Sequence, residues 1–422
     1  MSDEKKDLAH IGGNNKKSNR RSKSITYTVL LLILTNIITA FVVTMVSVRL
    51  PNGKVVVSQK TFQNVLAFEK LYTIKDKIDK YYIGDINQDN LIEGAAKGMA
   101  AALGDPYTTY MNQKEFTEFT TQTGGSYVGL GIQIGVKDNN IVVVSTFENS
   151  PAKEAGVMAG DIIMSVNDTP VTGNEVDKAT SMMKGKEGET VKLIVSRAEE
   201  QMNIDVVRKQ IDLVTVNYEM MEDKIGYIQV SMFDEHTAKN FENALANLSK
   251  DGMKSLVIDL RENPGGLLDQ TVEMSSQFVE QGKTIVYTED KNGNRKDYNS
   301  VGGNSIGVPV TVLCDGNSAS ASEIFIGALK DYGVATIVGE KTFGKGVVQT
   351  TFYRDQDGFG DGTALKVTIS KYFTPNGKNI HGVGIEPDVN VKYPDELKEK
   401  AYSRENDPQL KKALEIAREK IK

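Results

Sequence analysis

Two short apolar runs set the main constraint on this chain. Ser255-Leu256-Val257-Ile258-Asp259-Leu260 is apolar almost throughout, Asp259 being the marked exception, and Val308 to Cys314 is a second such run. Runs of this length and composition read as buried strands. Lys224-Ile225-Gly226-Tyr227-Ile228-Gln229-Val230 is a further strand. Stretches of helical period stand among them, at His236 to Leu248, Leu267 to Gln281 and Ser322 to Asp331. Strands and helices alternate, so residues 209–392 are expected to form an α/β core.

With 422 residues the chain has room for two or three domains. Its composition, 39% hydrophobic and 25% charged, supports a buried core and excludes wholesale disorder. A net charge of -6 argues against a protein built to hold nucleic acid. The single cysteine, Cys314, excludes an internal disulfide and a Cys-based zinc site. It ends a buried strand and reads as a structural thiol. Three histidines, His10, His236 and His381, and no HExxH or P-loop pattern leave no metal or nucleotide site to expect.

Residues 24–48 carry no charge and include Val29 to Leu34, Ile37-Ile38 and Ala40 to Val43. A helix over 25–48 would be long enough to cross a hydrocarbon core of about 30 Å. Lys16, Lys17, Arg20, Arg21 and Lys23 precede it more densely than Arg49, Lys54 and Lys60 follow it. The expected arrangement is a single-pass membrane anchor with residues 1–24 cytoplasmic and disordered, and the rest of the chain extracytoplasmic. A cleaved signal peptide and a buried core helix are the alternatives. The apolar span is longer than a signal core, and no small-x-small cleavage site stands out.

Beyond the anchor, residues 57–120 read as a helical region, with helices from Ser58 to Tyr82, Gln88 to Leu103 and Gln113 to Thr120. At Ser126 the period changes to alternation at Val128, Leu130, Ile132 and Ile134. Within 121–200, Gly129-Leu130-Gly131-Ile132, Ser150-Pro151-Ala152, Ala155-Gly156-Val157, Gly160-Asp161-Ile162-Ile163 and Val166-Asn167 follow in an order and spacing that resemble a PDZ domain. In such a loop the backbone N–H groups around Leu130, Gly131 and Ile132 cradle a peptide carboxylate, and the glycines allow close approach. Turn formation alone is the plainer reading of those glycines.

Three stretches carry candidate chemistry. In Cys314-Asp315-Gly316-Asn317-Ser318-Ala319-Ser320-Ala321-Ser322-Glu323, a buried strand ends in a polar turn where a helix starts at once. A serine there meets free N–H groups and a positive helix end, which suits a nucleophile and an oxyanion pocket. Ser320-Ala321-Ser322-Glu323 equally fits a capping box. Asn263-Pro264-Gly265-Gly266 after the first apolar run either exposes backbone N–H groups or is an ordinary tight turn. In Gly339 to Gln349, Lys345 and Gln349 share a face if the chain is extended. A lysine acting as base near neutrality needs its pKa lowered by about three units, roughly 4 kcal/mol of desolvation.

Together these stretches resemble the carboxyl-terminal processing protease (tail-specific protease) family. Gly94-Ala95-Ala96-Lys97-Gly98-Met99, Gly104-Asp105-Pro106-Tyr107-Thr108, Thr374-Pro375-Asn376-Gly377 and Gly384-Ile385-Glu386-Pro387-Asp388 extend the resemblance over about residues 90–388. The resemblance implies a serine endopeptidase using a serine–lysine pair: Ser320 as nucleophile, Lys345 as general base and Gln349 orienting the lysine. It implies an oxyanion hole from the N–H groups of Ala321 and Gly266 or Gly265, with Glu323 and Asp331 in structural support. Ser318 and Ser322 are rival nucleophiles and Lys341 a rival base. A triad through His236 or His381 needs a contact that sequence does not show.

The fold expected for the whole chain is therefore mixed α/β and multidomain: anchor, helical region, PDZ domain, α/β serine–lysine protease core and a helical tail over 393–422. The tail carries Leu410, Leu414, Ile416 and Ala417 at apolar positions and reads as a solvated or a partner-binding helix. Expected partners are proteins or peptides with apolar carboxyl termini, bound at Gly129, Leu130, Gly131 and Ile132, and the resemblance implies a homodimer. No cofactor is called for. A non-catalytic PDZ scaffold capturing carboxyl termini is the rival function, and a small-molecule serine hydrolase a third.

Overall fold

The computed structural model describes residues 26–39, 48–49, 55–56, 58–398, 400 and 402–421. The expected disordered segment, residues 1–24, lies outside them, as do residue 25 and residues 40–47 of the expected anchor. The chain divides into two units, residues 1–94 and 95–422.

In the first unit, residues 26–39 form a helix. At about 1.5 Å per residue it spans about 21 Å, short of a hydrocarbon core of about 30 Å. Among the described residues no helix is long and apolar enough to cross a membrane, so the expected anchor has no support from the described helix. The single helix expected from Ser58 to Tyr82 is two, Gln59–Ala67 and Glu69–Tyr81. Phe68, at φ -97° and ψ 3°, ends one and starts the next. Ser58 caps the first by accepting from the Thr61 N–H at 3.1 Å, which satisfies one of the free donors of a helix start.

In the second unit, residues 126–212 hold a β-domain. Its main sheet runs in the order Glu200–Val207, Thr190–Arg197, Ile162–Val166, Asn140–Thr146, Ile132–Lys137, with Ile132–Lys137 at an edge. The strand Glu200–Val207 has no counterpart among the sequence expectations and carries this sheet past residue 200. The alternation expected across 126–134 is broken at Gly131, whose φ of 72° turns the chain. A Cβ there would come within 2.4 Å of the Ser150 side chain. Ser126–Gly129 therefore leaves the main sheet and pairs with Lys209–Asp212 instead.

The larger core has a six-stranded sheet in the order Val216–Met220, Ile225–Val230, Ser255–Asp259, Val310–Cys314, Ala335–Gly339, Val389–Asn390. All neighbours but the first pair are parallel. Successive side chains point to opposite faces, and both faces of the central strands are covered, which is why Ile225–Val230, Ser255–Asp259 and Val310–Cys314 are largely apolar. Ile228, Leu256, Ile258 and Val312 pack with Phe241, Met274 and Phe325 of the helices Thr237–Lys250, Leu268–Ser276 and Ala321–Asp331. Ile225, Val257, Leu313 and Val338 face the other way, onto Leu410, Ala413 and Ala417 of the helix Pro408–Glu419. The tail helix is thus neither solvated nor free for a partner on that face; it covers the second side of its own sheet. A second sheet, Arg295–Asn299, Thr284–Asp290, Ala364–Phe373, Val347–Phe352, adds Thr109–Met111 against Ala364–Phe373. It brings the chain around residues 107 and 345 beside the start of the helix at Ala321.

Candidate active site

The strand Val310–Cys314 is followed by a turn whose polar groups are tied inward. The Ser318 hydroxyl is fully buried and donates to the Leu260 carbonyl at 2.8 Å. The Ser322 hydroxyl, also fully buried, donates to the Asn263 carbonyl at 3.0 Å. Both rival nucleophiles are therefore committed to the scaffold. Ser320 between them is half-buried and lines a cleft of about 530 Å3, and its side chain completes the capping box by facing the Glu323 N–H as acceptor, with its own proton given to no scaffold carbonyl among the described residues. Its backbone sits at φ 54° and ψ -112°, a region that costs a non-glycine residue roughly 1–3 kcal/mol.

Glu323 holds that strained turn. Its carboxylate has no exposed surface. One oxygen accepts from the Ser320 N–H at 2.9 Å and the Lys345 N–H at 2.8 Å. The other accepts from the Thr342 hydroxyl at 2.6 Å and the Gly344 N–H at 2.8 Å. Burial pushes its pKa up, against the pull of these four bonds. The segment carrying Ser320 and the segment carrying Lys345 thus share one acceptor. Asp331, the other residue expected to give support, accepts from the Asn376 N–H at 2.9 Å.

Lys345 and Gln349 line the same cleft as Ser320. Burial pushes the Lys345 amine below the ordinary lysine range; neighbouring Lys366 adds to the effect, while Asp105 and Glu323 oppose it. No hydrogen bond joins Lys345 to Ser320 or to Gln349. The Gln349 amide donates to the Thr368 hydroxyl at 3.3 Å instead, because a bulge between Val348 and Gln349 shifts its register against Ala364–Phe373. The rival base Lys341 is exposed and paired with Glu386 at 2.9 Å.

Two N–H groups at the cleft, those of Gly266 and Ala321, have no acceptor among the described residues. The Gly265 N–H, the expected alternative, is already given to the Asn263 side chain at 2.9 Å. Gly266 lies against the Phe233 carbonyl, which a Cβ would approach to 2.1 Å. Free donors beside a hydroxyl whose proton is not tied to a scaffold carbonyl are the parts an acyl-transfer site needs. Among the described residues no group of His, Cys, Asp and Glu is arranged to hold a metal. His236 starts a helix, and exposed His381 packs edge-on against Tyr107. Cys314 is buried with its thiol pKa raised by burial.

The loop Gly129-Leu130-Gly131-Ile132 lies apart in the β-domain. The carbonyls of Leu130 and Gly131 accept from the N–H groups of Ala152 and Phe147, both at 3.0 Å.

Sequence reasoning passed over Tyr372, fully buried, whose hydroxyl donates to the Ser320 carbonyl at 3.1 Å; no local signal marks it. It also gave no role to Asn263, whose amide donates to the Val230 carbonyl at 2.7 Å and whose own carbonyl accepts from the Ala319 N–H. Its place in the Asn-Pro-Gly-Gly turn was the available signal.

A β-domain and an α/β core with a serine at a helix start have counterparts among known proteins. Residues 42–115 match the activating protease CtpB N-terminal domain, 128–207 a PDZ domain and 224–391 peptidase family S41. The class is that of a serine peptidase. The chain is 36% identical to the carboxy-terminal processing protease CtpA of Bacillus subtilis (strain 168), over 86% of this chain and 77% of the relative. It is 36% identical to CtpB of the same organism, over 83% of this chain and 72% of the relative. A solved photosystem II D1 C-terminal processing protease is 26% identical, with a TM-score of 0.44, covering 76% of this chain and 86% of that one. The chain belongs to peptidase family S41.

Proposed function

We propose that the protein is a membrane-anchored serine endopeptidase that cuts protein substrates near their carboxyl termini. Ser320 is the nucleophile, Lys345 the general base, and Gln349 the residue that orients the Lys345 amine in the working state. The observation that carries this reading is one cleft lined by Ser320, Lys345 and Gln349 together with Gly266 and Ala321. Ser320 Oγ attacks the scissile carbonyl and its proton passes to neutral Lys345. The Gly266 and Ala321 N–H groups hold the oxyanion. Collapse breaks the C–N bond, Lys345 returns the proton to the leaving amine, and water then hydrolyses the acyl-enzyme.

Because Ser320 and Lys345 are not hydrogen-bonded here, the arrangement is a resting one that closes up when substrate binds. The Gly129–Ile132 loop and the free edge of Ile132–Lys137 take the apolar carboxyl-terminal residues of the substrate as an added strand. That the Bacillus relatives are carboxy-terminal processing proteases by name favours this substrate end. Residues 25–48 serve as the anchor, with the catalytic part extracytoplasmic, and the protein works as a homodimer. The exposed apolar side chains of Phe62, Val65, Leu66 and Tyr72 favour a self-association surface in the helical region.

The test is cleavage of an unfolded protein with an apolar carboxyl terminus by the full chain in detergent, alongside Ser320→Ala and Lys345→Ala. Cleavage by the parent alone is expected. Cutting by Ser320→Ala overturns the nucleophile assignment. Binding of tail peptides with no cleavage by the parent favours a scaffold that captures carboxyl termini.

A further inference from the structure

The turn Gly104-Asp105-Pro106-Tyr107-Thr108, which no step above uses, lies against the base. The Lys345 ammonium sits over the face of the Tyr107 ring, 4.8 Å from its centroid, and makes no hydrogen bond or ion pair among the described residues. The turn is pinned from within and from the sheet. Asp105 accepts from the Tyr107 N–H at 3.0 Å and from the Thr108 hydroxyl at 2.6 Å. The Thr108 oxygen accepts from the Thr368 N–H at 3.1 Å. Thr109–Met111 then pairs with Ala364–Phe373, the strand that also partners the Gln349 segment. The ring is therefore fixed by the sheet that carries the lysine.

We propose that Tyr107 is a positioning residue for the general base, its ring face holding the Lys345 amine as a cation, off the Ser320 hydroxyl, until the proton is lost. The inference rests on the assignment of Lys345 as base. A ring quadrupole attracts an ammonium and not a neutral amine. Loss of the proton and departure from the ring are thereby coupled, and the amine leaves the ring only in the form that can accept the serine proton. The other charged or titratable groups facing Lys345 or this ring are Lys366 on the neighbouring strand, Asp105 in the same turn, Glu323 at the start of its helix, Tyr372 and His381. All of them stay in place in the comparison below.

The experiment labels lysine amines of the full chain, carrying Ser320→Ala, with an amine-directed reagent across a pH series and follows Lys345 by mass spectrometry. Tyr107→Phe keeps the ring face and Tyr107→Leu fills much of its space without one. The Phe variant is expected to leave the labelling midpoint of Lys345 unchanged. The Leu variant is expected to lower it by roughly half a unit to one and a half units, while Lys366 stays put. Ring-fluorinated phenylalanines at 107, which keep the shape and weaken the face, should give a graded downward shift even if the Leu variant folds poorly. No shift in the Leu and fluorinated variants, or an equal shift in Phe, overturns the proposal. Labelling needs no protease activity, so this result stands apart from the Lys345→Ala cleavage assay that tests the base assignment itself.

Discussion

Replacing Glu323 tests whether one buried carboxylate keeps the nucleophile and base segments in register. Its two oxygens have no exposed surface and accept four hydrogen bonds, three of them from backbone N–H groups. In Glu323→Gln one oxygen becomes an NH2 group. The less costly orientation turns that group toward Thr342, whose hydroxyl can rotate to accept, and orphans only the Gly344 N–H. One orphaned buried donor costs about 1–3 kcal/mol, so the expected loss is about 2 kcal/mol. Glu323→Ala orphans all three N–H groups. Removing a carboxylate that burial disfavours offsets part of that, leaving a loss of roughly 3–6 kcal/mol. Urea unfolding of the full chain, followed by circular dichroism, measures both. The pH dependence adds a second reading. Burial raises the Glu323 pKa above its ordinary 4.5, so its contribution is full below that value and is lost as pH rises through the raised one. The Gln variant should lack this slope. If Gln and Ala both unfold within about 0.5 kcal/mol of the parent, the carboxylate is not the hub argued for here.

Three further outcomes follow from other parts of the molecule. Ser320→Gly should abolish cleavage yet stabilise the protein by about 1 kcal/mol, because glycine accepts φ 54° without strain; a lower melting temperature would contradict the strain. Lys366→Met removes a positive charge that depresses the Lys345 pKa. The base then needs a higher pH to become neutral, so the acid limb of kcat/KM should move up by roughly half a unit to one unit, and a downward move would refute the coupling. Asp407 accepts from the Arg261 guanidinium at 2.7 Å and caps the tail helix through the Leu410 N–H at 2.9 Å. Asp407→Ala should cost about 3–5 kcal/mol in urea unfolding and raise the binding of a hydrophobic dye as the tail helix lifts from the sheet. Unchanged dye binding would show that the apolar face alone holds the helix.

Much of the core was legible because its signals are local. Four apolar residues around Asp259 in Leu256–Leu260 can hardly be anything but a buried strand, as the structure has it. The turn before Ala321 was legible by its spacing as a capped helix start, which the structure has; its reading as a reactive place came from the family resemblance. What stayed hidden depends on partners distant in sequence. The strands Thr284–Asp290 and Ala364–Phe373 mix polar and apolar residues, since one sheet face meets the core and the other does not, and neither was singled out. The tail helix looked available to solvent or to a partner because its apolar stripe has no visible mate within twenty residues or so; its mate is the far face of a sheet begun near residue 225.

By itself the sequence determined the alternation of strand and helix, the glycine turns and the candidate residues for the chemistry, because backbone preference and side-chain chemistry are properties of neighbours along the chain. Only the tertiary structure decided which of three serines keeps its hydroxyl proton off the scaffold carbonyls, that Gly266 and not Gly265 keeps its N–H, and that Lys345 rests on Tyr107 and not on Gln349. Each of those outcomes is settled by which donor reaches which acceptor first across a packed interface, and that competition exists only once the sheets have closed.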